Sequence, residues 1–564
     1  MGRSWRPSAW PRTGCGHPGP ATIGDRGGRA VASRATRARA PRRVRGTRSP
    51  TGGRGAPRAA AAVPRRGHPG DQCRRRTPGA PRAPAAASPR ARVRRNASAV
   101  SRLLIEQCEV VVTMDDAGTE IPGGSILADR GEIVWVGAGP PPGEALRPSP
   151  SAPDGPVRLD GRGCVALPGL VNTHHHLYQT LTRAHATDQP LFGWLRALYP
   201  LWAGVDAAWV HTAARVGLAE LALSGCATTT DHHYVFPAGS DGFEVLDAAI
   251  AAARELGLRF HPCRGAMDLG ATRGGLPPDA IVQDTDEVLA QTEAAVRRYH
   301  DPAPGAMLRV AVAPCSPFSV TPRLMQEAAV LARRLGVRLH THIAETRDEE
   351  DYCLQVFGRR PLDLLDEWGW LGGDVWLAHC VHAGTGVARL GATQTGVAWC
   401  PASNLRLGSG IAPVRALLDA GARVGLGVDG AASNDSGQLL AEARIGLLVS
   451  RAGGGRWLDA REVLRIATRG GAACLGRDDI GALVPGRRAD VALFCVDDLA
   501  HAGAERDPVA ALVYCAPGRV KHLVVDGRVV VRDFHLVTAD EDAIAAEGRR
   551  AGRVIAARAE GVRR

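Results

Sequence analysis

Residues 164–176 read Cys-Val-Ala-Leu-Pro-Gly-Leu-Val-Asn-Thr-His-His-His. An apolar run ends in three histidines, and the same grammar of apolar strand, polar loop and helix repeats downstream. Eight candidate strands fall near 165–171, 227–230, 258–261, 308–313, 338–342, 375–378, 396–399 and 423–428. Helical patterns fill the intervals, among them 206–223, 244–256, 285–299, 322–335 and 361–367. Eight strand–helix units in succession predict an α/β fold, a (β/α)8 TIM barrel, with a doubly wound open sheet as the alternative.

Working outward, residues 103–165 alternate short β-type runs with turns. Residues 489–496 and 520–532 are β-like again around the hairpin signal Asp526-Gly527. These segments flank the barrel, and closure into a small β-sandwich built from both chain ends is expected. The expected divisions are 100–165 with 480–540 for the sandwich, 166–479 for the barrel and 541–564 for a C-terminal helix.

The net charge of +13 misleads. Residues 1–100 carry 24 Arg and only Asp25 and Asp71 as acids, whereas the rest of the chain is acidic at −9. All the excess positive charge therefore sits in the leader, and a nucleic-acid partner is not inferred from it. The segment 1–99, rich in Arg, Pro, Gly and Ala, lacks hydrophobic periodicity and is expected to be disordered. A mis-assigned start explains it best, with Val100 as the true initiator. The 13 Cys include no Cys-x-x-Cys pair, which favours reduced thiols and a cytoplasmic location. No apolar stretch approaches the ~20 residues of a membrane span.

Residues i and i+2 of an extended segment share a face, so His174 and His176 can both point into a barrel mouth while His175 points away. Two such imidazoles are half of a metal site. His342 stands at the C-terminal end of the fifth candidate strand, with Glu345 three residues on as an acid/base or, alternatively, a helix cap. His379 ends the sixth strand and Asp429 the eighth. Four strand ends out of eight bear metal-type or acid/base side chains, at the end of a barrel where catalysis occurs.

With Pro168-Gly169 leading to His174-x-His176, then His342-x-x-Glu345, His379 and Asp429 in this order, the chain resembles the amidohydrolase superfamily, and within it the nucleobase-type deaminases. The likeness covers about residues 103–535. It implies His174, His176, His342 and Asp429 as metal ligands, and Glu345, His379 and Asp429 as the catalytic set. Two-ion members of that superfamily bridge their metals with a carboxylated Lys on strand four. The single Lys here is Lys521, in the C-terminal β segment. One divalent ion is therefore expected, Zn²⁺, with Fe²⁺ or Mn²⁺ also compatible. The implied mechanism is attack of a metal-activated hydroxide on an amino-bearing ring carbon. Asp429 takes the water proton, Glu345 protonates a ring nitrogen, His379 steadies the oxygen, and ammonia leaves.

The segments 177–183, 231–234, 261–265 and 403–410 resemble the branch of 8-oxoguanine deaminases and hydroxydechloroatrazine ethylaminohydrolases. Pro314-Cys315-Ser316-Pro317-Phe318 departs from the Pro-His-x-Pro-Tyr of nucleoside deaminases, which counts against a ribosylated substrate. The resemblance implies a small heterocyclic substrate, 8-oxoguanine converted to urate and ammonia. Guanine or isocytosine deamination and alkylamine release from a hydroxylated s-triazine are the alternatives, and a non-catalytic scaffold is the alternative outside enzymes. Gln179 and Arg264 are expected to read the ring, although pairing of Arg264 with a carboxylate would serve structure instead. Trp194 and Trp202 either shield the site or pack the core. Homo-oligomer formation is left open. Mass spectrometry of the native protein is expected to find no peptide from residues 1–90; such peptides would overturn Val100 as the start.

Overall fold

A computed structural model describes residues 102–147, 155–236, 242–515 and 518–562. The reading of 1–99 as disordered and of Val100 as the start falls outside these residues.

Eight parallel strands form one sheet in sequential order: β1 (Leu170–Asn172), β2 (Cys226–His233), β3 (Arg259–Ala266), β4 (Ala311–Pro314), β5 (Arg338–Ile343), β6 (Val375–His379), β7 (Gly396–Trp399) and β8 (Arg423–Leu426). Helices stand between them, and those over 285–299, 322–335 and 361–367 have the bounds that their apolar periodicity predicts. The last strand returns to the first: Thr173 donates to the Leu426 carbonyl from both its backbone N–H and its hydroxyl, at 2.9 Å each. The result is a nearly closed (β/α)8 barrel. Its interior is plugged by Val171, Cys263, Ala311, Ala313, Trp376 and Ala398, side chains of alternating strand positions.

The first expected strand, 165–171, proves to be two. Cys164–Pro168 belongs to a different sheet, and only Gly169 separates it from β1. Pro168 offers no N–H to continue a ladder. A Cβ on Gly169 would stand 2.4 Å from that of Ala227, so no larger residue fits this junction as built.

Two further sheets flank the barrel. A seven-stranded sheet joins N-terminal strands 120–122, 110–112 and 164–168 to C-terminal strands 491–495, 522–525, 528–532 and 535–536 along one seam, between 164–168 and 491–495. Its neighbour has four strands, 102–106, 124–129, 132–138 and 157–160. Leu103, Ile105, Ile126 and Ile133 pack on Ala166, Val491, Leu493 and Val524 to form the sandwich core. The alternate residues Val165, Leu167, Ala492 and Phe494 join the barrel-side core, as a period of two requires. The sandwich from both chain ends is thus present. Asp526 and Gly527 make its hairpin turn with φ of 53° and 75°, the pair of positive values that a type I′ turn needs. A C-terminal helix, Glu541–Val562, lies on the helix Ala207–Leu223, where its Glu547 accepts from Thr212 and pairs with Arg215. No helix among the described residues is long and apolar enough to cross a membrane.

Barrel and sandwich are joined by a buried ion pair. Arg259, at the start of β3, donates to both Asp490 oxygens at 3.1 Å and to the carbonyls of Gly305 and Ala306 at 2.6 and 2.9 Å. Removing one partner of such a pair strands the other in a low-dielectric interior. Asp490→Ala is expected to cost about 3–5 kcal/mol, read as a lower urea midpoint, while a shift indistinguishable from zero would show that the pair does not hold this junction.

Candidate metal centre and active site

The C-terminal ends of the barrel strands carry the titratable side chains, and the backbone there is unusual. Ala344, His379 and Asp429 have φ of 52°, 72° and 62°, a left-handed conformation that costs about 1–3 kcal/mol at a non-glycine residue. At Ala344 the cause is visible. The buried Glu349 carboxylate accepts from the backbone N–H of Ala344 at 2.9 Å and of Glu345 at 2.7 Å, clamping the turn that aims Glu345.

Three histidines gather at one point, two of them against Asp429. His174 and His176 present Nε2 at 3.2 and 3.3 Å from its Oδ1, and the His176 and His342 Nε2 atoms are 3.0 Å apart. Their protons can be placed from their other ring nitrogens. His176 Nδ1 lies 2.7 Å from the His232 carbonyl and His342 Nδ1 2.7 Å from that of Cys315. A carbonyl only accepts, so each Nδ1 carries a hydrogen, and the neutral form of each ring then points a bare Nε2 inward. His174 reaches the same state in two steps. His340 Nδ1 donates to the Trp376 carbonyl at 2.9 Å, and its Nε2 accepts from His174 Nδ1 at 2.8 Å. Burial, before any neighbouring charge, pushes His174, His340 and His342 below the usual imidazole range, which favours neutral rings.

These neutral rings aim three lone pairs and a carboxylate oxygen at one point with no proton to share, and buried His174 Nε2 has no hydrogen-bond partner. Such a donor set is repulsive alone and suits a divalent cation. The separations of 3.0–3.3 Å approach the edge of about 3.3 Å of a tetrahedron with metal–nitrogen bonds of ~2.0–2.1 Å. The residues therefore fit a metal ion.

Asp429 is fixed from behind, its Oδ2 accepting from Ser403 Oγ at 2.6 Å and Ser433 Oγ at 3.0 Å. His379 differs from the other three. Asn404 Nδ2 lies 3.0 Å from its Nδ1, so Nδ1 accepts and Nε2–H faces Glu345 Oε2 at 3.6 Å. Burial, reinforced by the charges of Asp429 and Glu349, pushes the Glu345 carboxyl well above the usual range, and its Oε1 is buried without a partner. Burial thus favours the protonated form of Glu345.

Gln179, Glu345, His379, His176, His342 and Asp429 line one cavity, walled by Leu191, Trp194, Leu195, Tyr199 and Phe318. The Gln179 Oε1 has no partner, and its Nε2 approaches the Tyr234 hydroxyl at 3.5 Å. Arg264 is not brought there, which corrects its expected place beside the ring. Strand alternation sends Cys263 into the barrel and Arg264 outward, where its guanidinium donates to Gln283 and Gln291 at 2.9 and 2.7 Å and stacks on Phe236 at 3.8 Å. Trp194 lines the cavity and donates to the Ala432 carbonyl, whereas Trp202 is core and donates to Thr182. His175 lies outside the barrel, its Nδ1 accepting from the backbone of His176.

Several residues escaped sequence reasoning: His340, Ser403, Asn404, Ser433 and Glu349. His340 had a signal, two positions before His342 on one strand face. The hydroxyls, the amide and Glu349 act across loops, and nothing in their spacing marks them.

Comparison with known proteins shows the family. Residues 165–530 match the model of the amidohydrolase family, and the chain belongs to that family. It is a hydrolytic enzyme of the aminohydrolase kind, acting on C–N bonds. An 8-oxoguanine deaminase of Pseudomonas aeruginosa is 46% identical over 444 residues, covering 78% of this chain and 96% of that protein. A hydroxydechloroatrazine ethylaminohydrolase of Pseudomonas sp. is 40% identical, covering 76% of this chain and 91% of that protein. An atrazine chlorohydrolase from Arthrobacter aurescens, solved in complex with zinc, superposes with a TM-score of 0.74 at 35% identity, over 80% of this chain and all of that one.

Because a cation relieves the repulsion among these donors, chelation is expected to lower Tm measurably, with recovery on adding Zn²⁺. His176→Ala and His342→Ala should blunt the response; an unchanged Tm in wild-type protein whose metal content has fallen would contradict the assignment.

Proposed function

We propose that the chain is a single-ion deaminase of a flat, carbonyl-bearing heterocycle, acting on 8-oxoguanine to give urate and ammonia. The observation that carries this reading is the gathering of His174, His176 and His342, with Asp429 against the first two, beside an apolar-walled cavity lined by Glu345, whose carboxyl burial pushes upward. His174, His176, His342 and Asp429 would hold the ion, Zn²⁺ by the match of its donors. When bound, the ion supplies Lewis acidity that lowers the pKa of water from 15.7 towards ~7.

The chain's own residues do the rest. Asp429, anchored by two serine hydroxyls, accepts the proton of the attacking water. Glu345 delivers its proton to the ring nitrogen next to the amino-bearing carbon, which removes negative charge as the tetrahedral carbon forms. His379, with its Nε2–H set by Asn404, donates to the oxygen during attack. Proton return to the amino nitrogen lets ammonia leave. The cavity walls Leu191, Trp194 and Phe318 suit a planar ring, and Gln179 offers an amide to its polar edge.

Support for 8-oxoguanine comes from the 46% identity to a deaminase of that base over nearly its whole length. The 40% identity to an s-triazine ethylaminohydrolase favours a second reading, alkylamine release by the same attack. A panel of purines, pterins and hydroxylated triazines, scored for ammonia and alkylamine, separates them. Ammonia from 8-oxoguanine at the highest kcat/KM is the expected result, and ethylamine from a triazine at a higher value would replace it. Glu345→Gln is expected to lose about 10²–10⁴-fold in kcat while retaining metal; near-normal turnover would remove Glu345 from its role.

A further inference from the structure

At the opposite end of the barrel, Arg309 precedes β4 and Arg338 opens β5. With His261, His300, Gly336 and Trp376 they line a cavity of about 240 Å³. Its lining includes no carboxylate. Arg309 donates only to carbonyls, those of Pro302, Ala303 and Gly476 at 3.3, 3.1 and 3.4 Å, and Arg338 Nε donates to the Cys474 carbonyl at 3.1 Å. Of the neighbouring acids, Asp479 pairs with Arg477 at 2.7 Å and Asp374 with Arg333 at 2.9 Å, while Asp478 and Asp301 act on Arg309 and His300 from outside the lining.

Donors are left over. Arg309 Nε and Arg338 Nη2 are buried without a hydrogen-bond partner. His300 Nδ1 accepts from the backbone of Val310 at 3.1 Å, so its neutral ring carries the hydrogen on Nε2. Burial, with the charges of Arg423 and Arg309 adding to it, pushes Arg338 down to about 10. Two guanidinium groups and an imidazole N–H in one recess with no carboxylate in its lining form the donor set that an oxyanion satisfies.

We propose that this cavity binds a phosphate group, as free phosphate or as the head of a small phosphomonoester, at the barrel end remote from the metal centre. Trp376 ties the two ends together. It lines this cavity, stacks on His340 with ring centroids 4.4 Å apart, and accepts the His340 Nδ1–H on whose tautomer His174 depends.

The test is thermal denaturation of the full chain at fixed ionic strength, titrated with inorganic phosphate or with ribose 5-phosphate against chloride. Wild-type protein is expected to gain several degrees in Tm, saturably. Arg309→Gln and Arg338→Gln should lose most of that gain. Gly336→Asp is a second route. Gly336 has φ +68° with nothing within 4 Å of an added Cβ, and aspartate enters that left-handed conformation at less strain than most side chains. Its carboxylate would occupy the anion's field without removing an Arg contact, so it decides the matter if Arg338→Gln does not fold. Phosphate could also meet the metal or the Arg-rich leader, both unchanged in these variants. A wild-type gain that persists in Arg309→Gln and Gly336→Asp therefore overturns the proposal, as does no gain with either ligand. Saturation at lower concentration by ribose 5-phosphate identifies the phosphomonoester, and equal or weaker saturation identifies the free anion.

Discussion

Lone-pair repulsion is the constraint around which the candidate site is organised. Imidazoles just past β1 and at the end of β5 aim their Nε2 atoms at one point beside the Asp429 carboxylate. That arrangement costs energy unless a cation stands there, and it persists only because each ring's other nitrogen is committed to a carbonyl or to His340. The commitments come from backbone, at His232, Cys315 and Trp376, and thus from the barrel itself. Ring orientation is in this sense a property of strand register.

The same logic assigns unlike roles to like residues. His379 sits among the same groups as His342, with rings stacked 5.6 Å apart, yet its Nδ1 faces an amide donor rather than a carbonyl. One exchange of partner converts a metal-type ligand into a hydrogen-bond donor. Glu345 and Asp429, both buried carboxyls, diverge as well. Glu345 has an unpartnered oxygen, whereas Asp429 receives two serine hydroxyls. Environments that push two carboxyl groups apart are how one site holds both an acid and a base.

Much of this was legible in the sequence because it is periodic. The barrel follows from the strand–helix rhythm, the sandwich from β runs at both ends, and the converging histidines from their place at strand ends. Arg264 was misplaced because the reading put it just past its strand, whereas β3 extends to Ala266 and alternation turns Arg264 outward. The division of 164–172 between two sheets was hidden because apolar residues continue on both sides of Pro168-Gly169, so the hydrophobic pattern runs on across the break. Ser403, Ser433, Asn404 and Glu349 were invisible for another reason: their partners lie across loops, and no local pattern encodes such a meeting.

That Pro168-Gly169 junction has a kinetic meaning. Cys164–Pro168 pairs with Val491–Cys495, strands more than three hundred residues apart, and one glycine later the chain enters β1, which must meet β8. A ribosome emitting the chain from its N-terminus delivers one partner of each pairing long before the other. The barrel seam therefore stays open until residues 423–426 emerge, and the sandwich seam until residues 491–495 emerge. Until then two unpaired strand edges wait side by side, so this short segment is where a nascent chain is most exposed to wrong partners.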